Sequence, residues 1–230
     1  MIGLPGLRGP SGGAAGPQGP IGPQGSAGAA SSVVGPKGDA GAIGAQGPAG
    51  AAGSGFGAGA AVHYIGEQYQ GGIVYWVQAD GQHGLIAARA NQPSNIQWHN
   101  GTVRLTGASG DGIGAGAMNT AIIVATQIGD NQAGNFAAKV AADYSIQDDG
   151  VTACTGSSSE ICYGDWYLPS KVELYLLFAQ KYVVGGFAGG SYWSSSESSS
   201  GNAWSQGFGI GKQWNDFKYS VLPVRAVRAF

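Results

Sequence analysis

From Trp204 to Phe230 the chain carries Lys212, Lys218, Arg225 and Arg228 against a single acid, Asp216, whereas residues 60–203 hold five basic residues against eleven acidic ones. Positive charge gathered in one terminal region is chemistry for a polyanion: arginine forks onto paired oxyanion oxygens, and lysine acts as a point charge. Lys212 and Lys218 are the first choices, because they flank a strand-like segment rich in polar groups. Arg104, Lys139, Lys171 and Lys181 complete the surface candidates, with no spacing that groups them. Arg225 and Arg228, in "PVRAVRAF", stand at opposite parity on a strand, so one of them should point inward. A paired, buried arginine is therefore the competing reading for that residue. Trp193, Trp204 and Trp214 offer rings that stack on sugar faces or, in strands that alternate, fill a core.

No catalytic constellation accompanies these cations. His63, His83 and His99 are scattered, neither G-x-S-x-G nor H-E-x-x-H occurs, and "SSSESSS" is a turn-forming run. "GASGDGIGAGAMNT" has the glycines of a phosphate-cradling loop but not its Lys-Ser/Thr ending, and reads as a close-packed loop entering a helix capped near Asn119 or Thr120. "WND", Trp214 to Asp216, matches the calcium-and-sugar motif of C-type lectins without the upstream E-P-N or Q-P-D partner. Asp143, Asp148 and Asp149 do not keep EF-hand spacing. The expectation is a protein without enzymatic activity, cofactor or metal, with a calcium-dependent lectin as one alternative. A net charge of −2 gives none of the global basic character of a nucleic-acid binder.

The elements that must position the cations follow from periodicity. "AVHYIGEQYQGGIVYWVQADGQHGLIAAR" reads as strands broken at "GG" and "DG". "NTAIIVATQIGDNQAGNFAAKVAADY" gives two helices split at Gly129 to Gly134, and Ser170 with Glu173 forms a capping box for a helix running to Tyr182. From Tyr192 onward "YWSSSE", "NAWSQGFGIG", "KQWNDFKYSV" and "LPVRAVRAF" are successive strands. Strands, then helices, then strands predict an α+β domain. Cys154 and Cys162, in "CTGSSSEIC", lack a further ligand at zinc spacing, so a disulfide is preferred to two free thiols. A disulfide implies an oxidising compartment.

A different physics governs the first 53 residues. Glycine recurs at every third position in three runs, from Gly3, Gly16 and Gly35, which are out of phase with one another. That period belongs to the collagen triple helix, so residues 1–53 predict a stalk of three chains and a homotrimer. Only seven prolines lie in it, so the trimer needs support from elsewhere. Lys37 and Asp39 offer one interchain pair, and a Gly/Ala linker is the competing reading. Residues 54–61 read as a Gly/Ala-rich neck and 62–230 as the head, where all six tryptophans fall. No apolar run is long enough to span a membrane. "MIGLPGLRG" lacks the pattern of a secretory signal, so the expectation is a mature or truncated chain.

"GGIVYWV", "HGLIAA", "GIGAGAMNT", "YGDWYLPSKVEL", "YWSSSE" and "VLPVRAVRAF" occur in the order expected of the C-terminal domain of the Legionella collagen-like proteins, and the triplets before them resemble that family's stalk. The resemblance covers nearly the whole chain. It implies a trimeric adhesin on the bacterial cell surface, secreted and associated with the outer membrane, that binds sulfated glycosaminoglycans and supports attachment and biofilm formation. Through W-x-L-P-[ST]-x-x-E the head also looks like a distant relative of C-type-lectin-like and formylglycine-generating-enzyme folds. The reading opposed to the adhesin is a head that only nucleates and registers the stalk.

Overall fold

Tyr69 and Gly72 close a tight hairpin over Gln70 and Gly71, whose φ angles of 46° and 85° are the left-handed pair that a two-residue turn needs to match strand twist. The computed structural model describes residues 61–230 except 93–94 and 131–132. The stalk at 1–53 and the neck at 54–61, apart from Ala61, lie outside them.

That turn joins β1 (Gln68–Tyr69) to β2 (Gly72–Val77), and β3 (Gly84–Ala88) follows antiparallel to β2. Two helices come next, α1 (Ala115–Ile128) and α2 (Ala137–Ala142), then the short pair β4 (Ile146–Gln147) and β5 (Cys162–Tyr163). The helices α3 (Lys171–Ala179) and α4 (Lys181–Val184) lead into β6 (Ser191–Glu197), β7 (Asn202–Gly207) and β8 (Gln213–Phe217). The final strand, β9 (Val227–Ala229), returns to pair with β3, giving one sheet in the order β1-β2-β3-β9 and another in the order β6-β7-β8. The described region is mixed α+β.

Strict alternation along buried strands explains the two cores. In β3, Ile86 and Ala88 enter a cluster with Trp98, Ile123, Phe136 and Trp193, while Leu85 and Ala87 enter another with Leu174, Leu177, Tyr192 and Phe208. Neighbours Tyr192 and Trp193 in β6 divide the same way. The disulfide joins Cys154 to Cys162 and closes the loop beside β5.

Two helix boundaries differ from the sequence expectation. The helix after the Gly-rich loop starts at Ala115 behind Gly114, at φ 84°, and not near Asn119 or Thr120. Those side chains face inward: Asn119 Oδ1 accepts from Gly110 N–H at 3.1 Å, and Thr120 Oγ1 accepts from Leu168 N–H at 3.0 Å. They tether the helix to neighbouring loops instead of capping it. The helix expected to reach Tyr182 breaks at Gln180, whose N–H closes back on Leu177 O at 3.1 Å, three residues earlier. Its start is as expected, with Ser170 and Glu173 making both bonds of the capping box.

A candidate polyanion-binding face

The cations of the C-terminal region separate into two kinds. Lys218 is wholly buried: its Nζ pairs with Glu197, donates to Arg104 O at 2.8 Å and lies 4.4 Å from the centre of the Trp98 ring. Glu197 in turn accepts from the N–H groups of Thr106 (2.9 Å) and Gly107 (2.8 Å). Burial pushes the ammonium below its ordinary pKa, and the bond to Glu197 opposes that shift. Lys218 therefore holds a loop in place and is withdrawn from the ligand candidates. Arg225 is also fully buried and, among the described residues, faces no carboxylate at ion-pair distance. It donates to Asn91 Oδ1 (2.9 Å), Ala88 O (2.9 Å), Gly185 O (3.3 Å) and Gly186 O (2.6 Å), and burial lowers its pKa to about 10.

Arg228 makes a two-pronged bond to Asp165, Nε to Oδ1 at 2.7 Å and Nη2 to Oδ2 at 2.8 Å, and is 7 % exposed. Parity predicts one inward arginine; both are inward, because Arg225 lies before β9 and is not governed by strand alternation. Arg104 pairs with Asp130, and Lys139 with Asp143, so their charge is compensated locally. Trp193 is core.

Lys171, Lys181 and Lys212 remain, and each borders the hairpin formed by β7 and β8. Lys171 opens α3 and Lys181 opens α4, while Lys212 sits at the turn between β7 and β8. Gln213 Nε2 donates to Lys171 O at 3.0 Å, Lys181 Nζ donates to Phe208 O at 2.6 Å, and Gly207 N–H donates to Lys212 O at 2.8 Å. All three therefore border the same hairpin. None has a carboxylate partner among the described residues. Each lies over a ring: Lys171 Nζ is 3.5 Å from the centre of Trp204, Lys212 Nζ is 5.7 Å from Trp214, and Lys181 Nζ is 4.7 Å from Phe178 and 5.0 Å from Tyr182. Trp214 is 42 % exposed and Tyr182 is 89 % exposed. Ammonium groups without acids, beside accessible rings, can take an oxyanion and the flat face of a sugar ring together.

In the "WND" segment Asp216 Oδ2 accepts from Ser205 Oγ and Asn215 Oδ1 from Ser198 Oγ, each at 2.5 Å. Among the described residues no group of three or more His, Cys, Asp or Glu side chains could hold a metal ion. No described helix is long and apolar enough to cross a membrane. Sequence reasoning missed Glu197 and Asp165 as the acids that internalise Lys218 and Arg228, and missed the lysine and ring pairings. The pair at Lys212 and Trp214 had a signal, the i and i+2 spacing along one strand edge; Lys171 with Trp204 had none. No family model and no curated protein matches the chain. The described region is thus an α+β domain with three lysines around the β7–β8 hairpin, Lys171 over Trp204 on one side of the sheet and Lys212 beside Trp214, whose ring lies on the other.

Proposed function

We propose that the chain is a homotrimeric surface adhesin, in which a collagen-like stalk at residues 1–53 carries heads that bind sulfated glycosaminoglycans or similar polyanionic polysaccharides, in support of attachment and biofilm formation. The observation that carries the reading is the placing of Lys171, Lys181 and Lys212 around one hairpin, each beside an aromatic ring and none paired with an acid among the described residues. Three heads on one stalk would present three such faces, and linked weak sites gain avidity. The collagen period and the cysteine loop support an extracellular setting. A second reading, a head that registers the stalk without a ligand, draws on Val62 and Tyr64, 66 % and 67 % exposed at the start of the head.

The test is binding of the full chain to immobilised heparin and chondroitin sulfate over a salt series, repeated with Lys171, Lys181 and Lys212 all changed to Gln and with chelator added. The adhesin reading expects binding that weakens steeply with salt, survives chelator and is lost in the triple variant. Binding lost in chelator would move the reading to a calcium lectin. No binding by the intact trimer would leave the registering head.

A further inference from the structure

Beside Lys181 the surface sinks into a cavity of about 260 Å³, bordered by Tyr182, Gly186, Phe187, Gly189 and Phe208. Its aromatic side is preformed: the rings of Phe187 and Phe208 stack with centres 4.3 Å apart and 25° between their planes. Tyr182 stands exposed at the rim. Lys181 Nζ spends one donor on Phe208 O and keeps two.

The backbone of this cavity is oriented from behind by Arg225. Its guanidinium draws the carbonyls of Gly185 and Gly186 inward, with Nη1 and Nη2 at 3.3 Å and 2.6 Å. In a trans peptide the carbonyl and the following N–H point in opposite directions. The N–H groups of Gly186 and Phe187 are thus turned outward, and neither has an acceptor among the described residues. Gly185 and Gly186 both sit at positive φ, 73° and 71°, which makes this double inward turn of the carbonyls possible. Arg225 also lies 4.0 Å behind the Phe187 ring, and no carboxylate among the described residues pairs with it. Two N–H groups without acceptors among the described residues and an ammonium therefore border one cavity, with the buried Arg225 guanidinium behind it.

We infer that this cavity is a subsite for a single anionic sugar unit, its ring against the exposed Tyr182 and the edge of Phe187 and its sulfate or carboxylate on Lys181 and the Gly186 and Phe187 N–H groups. The inference rests on the polysaccharide reading and deepens it: the lysines around the β7–β8 hairpin attract a chain, and the cavity selects one charged residue of it. Arg225 acts as a positioning residue that never touches the sugar.

The experiment is a titration of the full chain with N-acetylglucosamine 6-sulfate, glucuronate, N-acetylglucosamine and inorganic sulfate, followed by saturation-transfer and chemical-shift NMR. Two variants accompany it. Gly189→Phe fills the cavity from a position where an added Cβ meets no heavy atom within 4 Å. Lys181→Met keeps the stem and removes the charge. The charged sugars bind in preference to N-acetylglucosamine and to sulfate alone, and each variant weakens them about tenfold, the size of one charge-assisted hydrogen bond. Charged sugars that bind equally well to both variants, with thermal unfolding of the variants unchanged, overturn the subsite. So does equal binding of the neutral sugar. Heparin binding that persists while the charged sugars fail removes the subsite and leaves the adhesin reading standing. Charged-sugar binding without heparin binding does the reverse.

Discussion

Lys218 and Lys212 lie six positions apart in one basic stretch, yet one is sealed inside the head and the other stands in water. The difference is set by what approaches from elsewhere in the chain. Glu197 and the Thr106–Gly107 backbone converge on Lys218, so its ammonium costs less to bury than an unpaired one would. Among the described residues no carboxylate pairs with Lys212; a ring lies beside it. The same split separates Arg225 and Arg228, which brace backbone and sheet, from Lys171 and Lys181, which border the surface hairpin. Counting charge in a sequence measures formal charge, and only long-range contacts decide how much of it a ligand meets.

The largest way to test that split is to strip Lys218 of its acid. Glu197→Leu leaves a buried ammonium facing Trp98 and two backbone N–H groups without acceptors, and is expected to cost about 3 to 5 kcal/mol in urea unfolding. A loss under about 1 kcal/mol would mean that water reaches the pair and that the two classes of cation are not distinct. Arg225→Lys comes next. A single ammonium cannot span Ala88, Asn91, Gly185 and Gly186, so a loss of about 2 kcal/mol is expected from the acceptors left unmatched. Unchanged stability in the same titration would show that the guanidinium fork is dispensable.

These contrasts also show what the sequence can carry. The capping box at Ser170 and Glu173 is local chemistry within four residues, and it was legible as such. So were the hairpins around Gly71 and the order of strands and helices, because period and turn residues are written along the chain. The Cys154 to Cys162 closure spans a separation of 8 and was equally visible. The start of α1 was not, since Asn119 looks like a cap in sequence and becomes a tether only when Gly110 packs beside it. Burial of Lys218 depends on Arg104 O, 114 positions away, and burial of Arg225 on Ala88 O, 137 away. No local period reports contacts of that range. The placing of Lys171 beside the β7–β8 hairpin is a product of the same distances, because α3 and that hairpin meet only in the folded domain.

A smaller effect is expected where a buried cation meets a wet acid. Arg228 is nearly covered, but the Asp165 side chain is 62 % exposed, so Asp165→Asn should lower stability by only about 1 kcal/mol or less despite the two-pronged geometry. A loss as large as that of Glu197→Leu would mean that geometry, and not desolvation, ranks these pairs.

The smallest change in stability belongs to the most exposed lysine of the proposed binding region. Lys212→Glu alters an exposed side chain with no acid partner, so unfolding should shift by no more than about 0.5 kcal/mol. Placing a carboxylate beside Trp214 nevertheless reverses the charge that meets an approaching sulfate, and repulsion from the polymer acts at every one of its neighbouring anions. Heparin retention should therefore collapse at low salt while the unfolding curve stays in place. High salt is expected to narrow the gap between the variant and the unaltered protein, because screening weakens attraction and repulsion alike. Retention that falls only together with stability would put Lys212 in the structural class with Lys218, and the division between the two lysines would be gone.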